Sequence, residues 1–125
     1  MNSAPTVLVH LCSKDEWRSA QARGEHRPDS LAAVGFVHLS TPEQVHLPAN
    51  RLYAGRTDLV LLHIDAARLP FPIRWEPGVS ADPVGMEFPH LFGPLPCGAV
   101  IRVTSYLPDV GGWFAPLESW PGPST

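Results

Sequence analysis

Runs of apolar residues, separated by polar turn signals, divide the chain into short segments of both strand and helix type. The apolar, β-branched run over 6–11 predicts a first strand. Ser13 and Glu16 then form the S-x-x-E pattern of a helix capping box. The helix that follows is expected to reach Gly24, because glycine suits the left-handed conformation of a helix C-terminal cap.

The next third of the chain predicts a second strand and a second helix. A loop over 25–30 is expected to lead into a short helical turn over 31–34 and a strand over 36–39. Residues 41–44 read T-P-E-Q, a capping box with proline at the favoured first position, so we expect a helix to start there. Pro48 would then kink or divide that helix, since proline removes a backbone donor.

Three further strands complete the predicted sheet. The nearly continuous apolar run over 59–64 is typical of a central strand that is covered on both faces. Segments 71–75 and 100–106 predict two more strands. The Gly/Pro/Asp-rich segment 77–85 predicts an exposed loop beside the strand over 71–75, and such a loop is able to cover a pocket. We therefore expect an α+β fold with a bent, mixed β-sheet and short helices, and not a parallel doubly wound fold.

The length of the chain is that of one domain. A chain of 125 residues buries enough surface for a single core without metal or disulfide support. The binding or catalytic domain is expected over 1–107, followed by a Pro/Gly-rich tail over 108–125 that packs on the same domain. The aromatic residues expected to fold back from this tail are Trp113, Phe114 and Trp120.

Charge and cysteine content exclude several classes of partner. A net charge of −3 with 17% charged residues provides no basic field for nucleic acid. No apolar run is long enough to span a membrane, and no signal peptide is recognised. Cys12 and Cys97 are therefore expected to be free thiols of a soluble, cytoplasmic protein. The sequence leaves the oligomeric state open.

Histidines are the strongest candidates for chemistry. His10 and His38 lie late in two predicted strands, so pairing of those strands would bring both imidazoles to one rim. His90 follows Pro89 within an aromatic segment, which makes it a rigidly presented third imidazole. No H-x-x-x-H or C-x-x-C spacing occurs, so no metal site is predicted.

The other three histidines are interpreted as structural. His63 lies in the most apolar strand and is expected to be a hydrogen-bonded, partly buried residue. His26 and His46 are expected to face solvent, from a loop and a helix respectively.

One carboxylate is favoured as a functional group. Glu76 lies between Trp75 and Pro77, where a stiff backbone and an aromatic neighbour can aim its side chain. Glu87 is the competing carboxylate. Ligand contacts are further expected from Ser40, as a hydroxyl donor, and from Thr41, Trp75, Phe88 and Phe92.

Five segments together resemble the bacterial family catalogued as domain of unknown function 952 (DUF952), over about 6–106. The resemblance implies a fold like that of ADP-ribosyltransferases, a split, bent sheet that binds NAD in a cleft without a Rossmann motif. Residues 37–40 and the following strand also resemble NAD-using RNA 2′-phosphotransferases, whose basic character is absent here. The five segments are His10, 35–41, 55–62, 74–76 and 88–95.

The resemblance also implies roles for individual residues. His10 corresponds to the first-strand histidine that holds the nicotinamide ribose, and His38 to a second-strand residue near nicotinamide. Glu76 corresponds to the late glutamate that contacts the ribose 2′-hydroxyl, with Glu87 as its competitor. Arg56 lies in a matched segment and is expected to contact the ligand.

These observations predict a small NAD-binding or NAD-cleaving enzyme that acts on a small molecule without a metal. Glu76 and His10 would orient the ribose while oxocarbenium-like charge develops, and His38 and His90 would line the nicotinamide or acceptor side.

Three other interpretations stay open. A non-catalytic protein would hold a nucleotide-like or phenolic ligand between Trp75, Phe88 and Phe92. A phosphoesterase is suggested by the H-x-S pattern over 38–40. A specialised biosynthetic enzyme would reuse the same cleft for another reaction.

Overall fold

A computed structural model describes residues 7–117 and shows eight strands and three α-helices in that range. Short 3-10 turns occupy Ala66–Arg68 and Cys97–Ala99. The helices are α1 (Lys14–Arg23), α2 (Asp29–Val34) and α3 (His46–Tyr53). The strands are β1 (Val7–Ser13), β2 (Glu25–His26), β3 (Val37–His38), β4 (Leu59–Asp65), β5 (Ile73–Pro77), β6 (Glu87–Leu91), β7 (Leu95–Pro96) and β8 (Val100–Ser105).

The strands form three antiparallel sheets. Their orders are β1-β4-β8, β3-β6-β5 and β2-β7. The first two sheets are joined where Val9 and Ser40 exchange backbone hydrogen bonds of 2.8 and 2.9 Å. The α+β class is thus confirmed, whereas the expected mixed sheet is wrong. Every strand pairing in the part of the chain that the structure describes is antiparallel, and the expected bend is a junction between two sheets.

Strand β4 is the centre of the core, as its apolar run predicts. Successive side chains of a strand point to opposite faces. Accordingly Val60, Leu62 and Ile64 pack into one buried cluster, while Leu59 and Leu61 pack into another. Both faces of β4 are therefore covered.

Residues 108–117 contribute to the second of these clusters. Phe114 is buried there, and its backbone N–H and carbonyl both bond to the side chain of Asn50. Trp113 is 57% exposed. Trp120 lies outside the described residues.

Helix α1 follows its sequence signals closely. The Ser13 hydroxyl accepts from the backbone N–H of Glu16 at 3.0 Å, and the Glu16 carboxylate accepts from the backbone N–H of Ser13 at 2.8 Å. Gly24 caps the other end with a φ of 85°. These reciprocal bonds confirm the predicted capping box.

Two local predictions are wrong. The segment predicted as a loop over 25–30 contains β2, which pairs with β7 about 70 residues away, and the start of α2. Residues 41–44 form a turn and not a helix start, although the Gln44 side chain accepts from the backbone N–H of Thr41 at 3.0 Å. Helix α3 begins only at His46, so Pro48 falls in its first turn, where no intrahelical N–H is lost and no kink is needed.

Strand β6 has no counterpart in the sequence prediction, because it contains Pro89. Leu39 donates its backbone N–H to the Pro89 carbonyl at 3.0 Å, but proline has no N–H to return. Strand β3 accordingly ends at His38, one residue before this position.

None of the helices within residues 7–117 has the length and apolar character that crossing a membrane requires.

Candidate active site

A cleft of about 480 Å³ lies beside the junction of the β1-β4-β8 and β3-β6-β5 sheets. Its walls come from β1, β3, β6 and helices α1 to α3, and from the loop that follows β5. Volumes of this order are typical of small-molecule sites. The titratable residues lining it are His10, Glu16, Asp29, His38, Arg51, Tyr53, Asp82 and His90.

Strand register places His38 and His90 opposite each other on one face. They are a cross-strand pair of β3 and β6, and their ring centroids are 5.4 Å apart at an interplanar angle of 85°. Phe36 lies on the same face and stacks on the His90 ring at 4.0 Å and 12°. Both imidazoles line the cleft.

The same register brings Glu76 to His90. On the β5–β6 pair, Arg74 lies opposite His90 and Glu76 opposite Phe88, so all four side chains share one face. The Glu76 Oε1 lies 2.6 Å from His90 Nδ1, and the carboxylate is half-buried. Because a carboxylate only accepts, Nδ1 carries the proton and Nε2 of a neutral His90 holds the free lone pair.

Glu87 lies on the other face of β6. It is opposite Pro77 and one residue out of phase with Phe88 and His90. Its side chain is exposed, and its backbone carbonyl accepts from Gln44 Nε2 at 3.1 Å. Of the two candidate glutamates, the structure brings only Glu76 to a cleft histidine.

His10 is almost completely buried at the inner end of the cleft. Its Nδ1 lies 2.7 Å from the backbone carbonyl oxygen of His38, and its Nε2 lies 3.2 Å from Nε2 of His26. Burial, and then the neighbouring His26 imidazole, lower the pKa of His10 to about 3. His10 is therefore neutral at physiological pH.

His38 is also favoured in its neutral form. Desolvation is the main cause that lowers its pKa, followed by the proximity of His90 and of Arg51. A neutral imidazole can act as a base or relay a proton near neutral pH.

Arg51 brings a cation to the cleft from α3. Its Nη1 donates to Asp82 Oδ1 at 3.1 Å, and the other oxygen of this buried carboxylate accepts from the backbone N–H of Val79 at 2.9 Å. A Cβ at Gly78 would lie 2.1 Å from Asp82 Oδ2, so glycine is required for this close approach. The predicted exposed loop over 77–85 therefore forms part of the wall of the cleft.

The remaining predicted ligand residues divide into two groups. Ser40 and Phe88 are buried and line the cleft. The others lie outside its lining. The backbone N–H of Thr41 donates to the Gln44 side chain in the turn before α3, Trp75 is on the opposite face of β5 from Glu76, and Phe92 packs against Phe36 and Arg74.

Arg56 is likewise away from the cleft. Its guanidinium donates twice to the Asp58 carboxylate, at 2.9 and 2.6 Å, on the exposed surface after α3. This bidentate pair raises the pKa of Arg56 and lowers the pKa of Asp58.

Several residues in or next to the site carried no functional prediction, among them Glu16, Asp29 and Tyr53 of the lining. Phe36 and Asp82 were recognised only as parts of a motif and a loop, and Arg51 is a lone cation on a short helix. His26 is buried, 3% exposed, and not solvent-facing as expected. The pairing of β2 with β7 over a long sequence separation buries it, and no local pattern in the sequence signals that pairing.

The other predictions about titratable residues concern the core. His63 is buried, as expected, and its Nε2 lies 2.9 Å from the Thr104 hydroxyl. Cys12 and Cys97 are free thiols. Burial raises the pKa of the Cys12 thiol to about 12, which makes it a poor nucleophile.

Within residues 7–117 no group of three or more His, Cys, Asp or Glu side chains is arranged to hold a metal ion.

Comparison with known proteins supports the family resemblance. The family described as protein of unknown function (DUF952) matches residues 11–103. The crystal structure of protein CC0527 from Caulobacter crescentus is 32% identical, with a TM-score of 0.75 over 88% of this chain and 94% of that one. The solution structure of CC0527 is 33% identical, with a TM-score of 0.70 over 87% and 91% of the two chains. No curated protein matches.

Proposed function

Since the chain belongs to the DUF952 family of proteins of unknown function, its reaction has to be inferred from its own cleft, and we propose a small NAD-cleaving enzyme. In this proposal the cleft binds NAD and transfers ADP-ribose to a small molecule or to water. We also propose that the two joined antiparallel sheets are a compact form of the split sheet of ADP-ribosyltransferases. The junction at Val9 and Ser40 supports that likeness.

The observation that carries the proposal is that His90 faces His38 in the lining of one cleft, while Glu76, which is not part of that lining, bonds to His90 from behind. With Nδ1 of His90 bonded to the carboxylate, Nε2 is the position that takes a proton from an attacking hydroxyl. The Glu76 carboxylate then stabilises the imidazolium that forms, as a carboxylate does in other oriented histidine bases. This geometry suits activation of an acceptor hydroxyl.

The proposed reaction breaks one bond and forms another at the ribose C1′. The C1′–N bond to nicotinamide breaks, its electron pair leaves with the nicotinamide nitrogen, and oxocarbenium-like charge develops on the ribose. The acceptor oxygen bonds to C1′ while its proton passes to His90 Nε2. The role of Glu76 therefore differs from the ribose contact that the family resemblance implies, because its carboxylate bonds to His90.

Charge in the cleft is divided in a way that suits NAD. Arg51 is the cation of the described lining; one of its nitrogens pairs with Asp82, and its remaining guanidinium N–H groups suit a pyrophosphate. Glu16 and Asp29 line the cleft from α1 and from the start of α2, and their carboxylates attract the positively charged nicotinamide ring. A ligand with a cationic and an anionic end fits both groups.

Apolar side chains form much of the remaining wall. Leu39, Val45 and Phe88 are buried residues of this lining. Such a wall excludes water from a bound ligand and strengthens the electrostatic interactions within the cleft.

A thermal-shift measurement with NAD and with ADP-ribose tests binding. At about 100 times the dissociation constant, ligand binding raises the unfolding temperature by on the order of 10 °C. Stabilisation by these ligands, together with release of nicotinamide from NAD, supports the enzyme. Stabilisation without release favours a non-catalytic binding protein, and absence of stabilisation by either ligand overturns the proposal.

A further inference from the structure

His26 is a buried histidine for which the proposed reaction has no use. It lies on β2, outside the lining of the cleft, and is 3% exposed. Its Nε2 lies 3.2 Å from Nε2 of His10, and the two ring centroids are 5.0 Å apart. His10 in turn lies 2.7 Å, through Nδ1, from the carbonyl oxygen of His38. The three histidines are therefore linked in one chain of hydrogen bonds.

The direction of each bond in this chain follows from its acceptor. A carbonyl oxygen only accepts, so His10 Nδ1 must carry a proton and donate a hydrogen bond to the His38 carbonyl. In neutral His10, Nε2 then carries a lone pair, which accepts a hydrogen bond from the Nε2–H of His26. The chain runs from His26 to His10 to the backbone of His38, with each proton position determined.

We infer that His26 is a positioning residue, which holds the His10 ring in place through a hydrogen bond to its Nε2 and thereby fixes the strand that carries His38. Both ring nitrogens of His10 are engaged in this chain. His10 consequently contacts the cleft through its ring carbons, because both of its nitrogens are already hydrogen-bonded. The effect of His26 on turnover rests on the proposed function, whereas its hydrogen bond to His10 does not depend on any reaction.

The bond to the His38 carbonyl is what connects His26 to the reacting groups. Strand β3 has only two residues and receives no return bond from Pro89, and its backbone is held next at Leu39 and Ser40. His10 bonds this backbone at the residue whose imidazole faces His90 at 5.4 Å. Loss of the His26 donor would release His10 from its orientation and allow His38 to shift.

The same chain of hydrogen bonds cannot relay protons, because of the group at its last position. The last acceptor is a backbone carbonyl, which passes no proton onward. At the other end, His26 Nδ1 is buried and has no hydrogen-bond partner among the described residues. Burial lowers the pKa of both histidines, so the pair is neutral at physiological pH. The chain is therefore suited to hold geometry and not to transfer protons.

Imidazole ¹⁵N NMR of the full chain tests this inference directly. In the wild-type protein, His10 is expected to show a protonated Nδ1 and an unprotonated Nε2. His26→Leu removes the donor, and the signal of the unprotonated His10 Nε2 is expected to shift because it loses its hydrogen bond. His26→Gln retains an amide donor and is expected to restore the wild-type His10 pattern. Protonated Nε2 in wild-type His10, or unchanged His10 signals in His26→Leu, would overturn the inference.

Turnover of NAD by the same variants adds a second readout. His26→Leu is expected to lower kcat by roughly 10-fold to 100-fold with little change in KM, because bound substrate meets displaced groups. His26→Gln is expected to retain most of kcat. If wild-type protein shows no turnover, the proposed function fails while the NMR result still decides the role of His26. If His26→Leu does not fold, scalar coupling between His26 Nε2 and His10 Nε2 across their hydrogen bond in the wild-type protein decides it, and absence of that coupling overturns the inference.

Discussion

The Glu76 carboxylate lies 2.6 Å from Nδ1 of His90, on the single face that β5 and β6 share. This contact assigns the proton of a neutral His90 to Nδ1 and leaves Nε2 as the base. Phe36 stacks on the same ring and restricts its rotation. His90 is thus oriented both through a hydrogen bond and through packing.

Glu76→Gln is expected to lower nicotinamide release by at least roughly 10²-fold, because the amide lacks the charge that stabilises an imidazolium. The fold is expected to persist, since the side chain is half-buried and close in shape to glutamine. The measurement is the rate of nicotinamide release, with Glu43→Gln as a control at an exposed glutamate outside the cleft lining. Equal rates in Glu76→Gln and the control would rule out the assigned role.

Arg51→Met is expected to weaken binding of ADP-ribose by roughly tenfold or more, because a hydrogen bond from a charged donor contributes about 1.5–3 kcal/mol. Calorimetric titration measures the affinity. The substitution also removes one of the causes that lower the pKa of His38, so that pKa is expected to rise in an NMR titration. Arg18→Met, at an exposed pair with Asp15, is the matched control. Unchanged affinity in Arg51→Met would exclude a pyrophosphate contact.

Stability is expected to fall as the pH falls below about 6.5. Burial lowers the pKa of His10, His26, His38 and His63 in the folded protein, whereas these groups take up protons near pH 6.5 once unfolded. The unfolded state therefore binds more protons between pH 6.5 and about 3, where His10 titrates. Urea unfolding at about pH 7.5, 6 and 5 measures the effect. A free energy of unfolding that stays constant over this range would contradict it.

Ser13→Ala is expected to lower the free energy of unfolding by about 1 kcal/mol, because it removes half of a complete capping box. The Glu16 carboxylate, which lines the cleft, keeps its bond from the backbone N–H of residue 13. Ser19→Ala, at an exposed position within the same helix, is expected to change stability little. Chemical denaturation compares the two variants, and an equal effect of both would show that the cap contributes nothing specific.

The sequence was sufficient for elements that depend on local rules. The capping box at Ser13, the glycine cap at Gly24 and the apolar run of β4 each contain their own signal, and the structure has all three. The expected neighbouring positions of His10 and His38 also hold, although the two residues meet through a ring and a backbone carbonyl.

Elements that depend on distant pairing were not accessible in this way. His26 becomes buried only because β2 pairs with β7, and both strands have two residues. Strand propensities do not predict β6, since it contains Pro89 and proline is unfavourable in a central strand. Without β6 the register that separates Glu76 from Glu87 is not defined, and the sequence left both glutamates as candidates.

Incubation of the wild-type protein with NAD, followed by chromatographic measurement of free nicotinamide, tests the central claim most directly. The account predicts nicotinamide release that increases with time and with protein concentration. A folded protein that is stabilised by neither NAD nor ADP-ribose and releases no nicotinamide would contradict it.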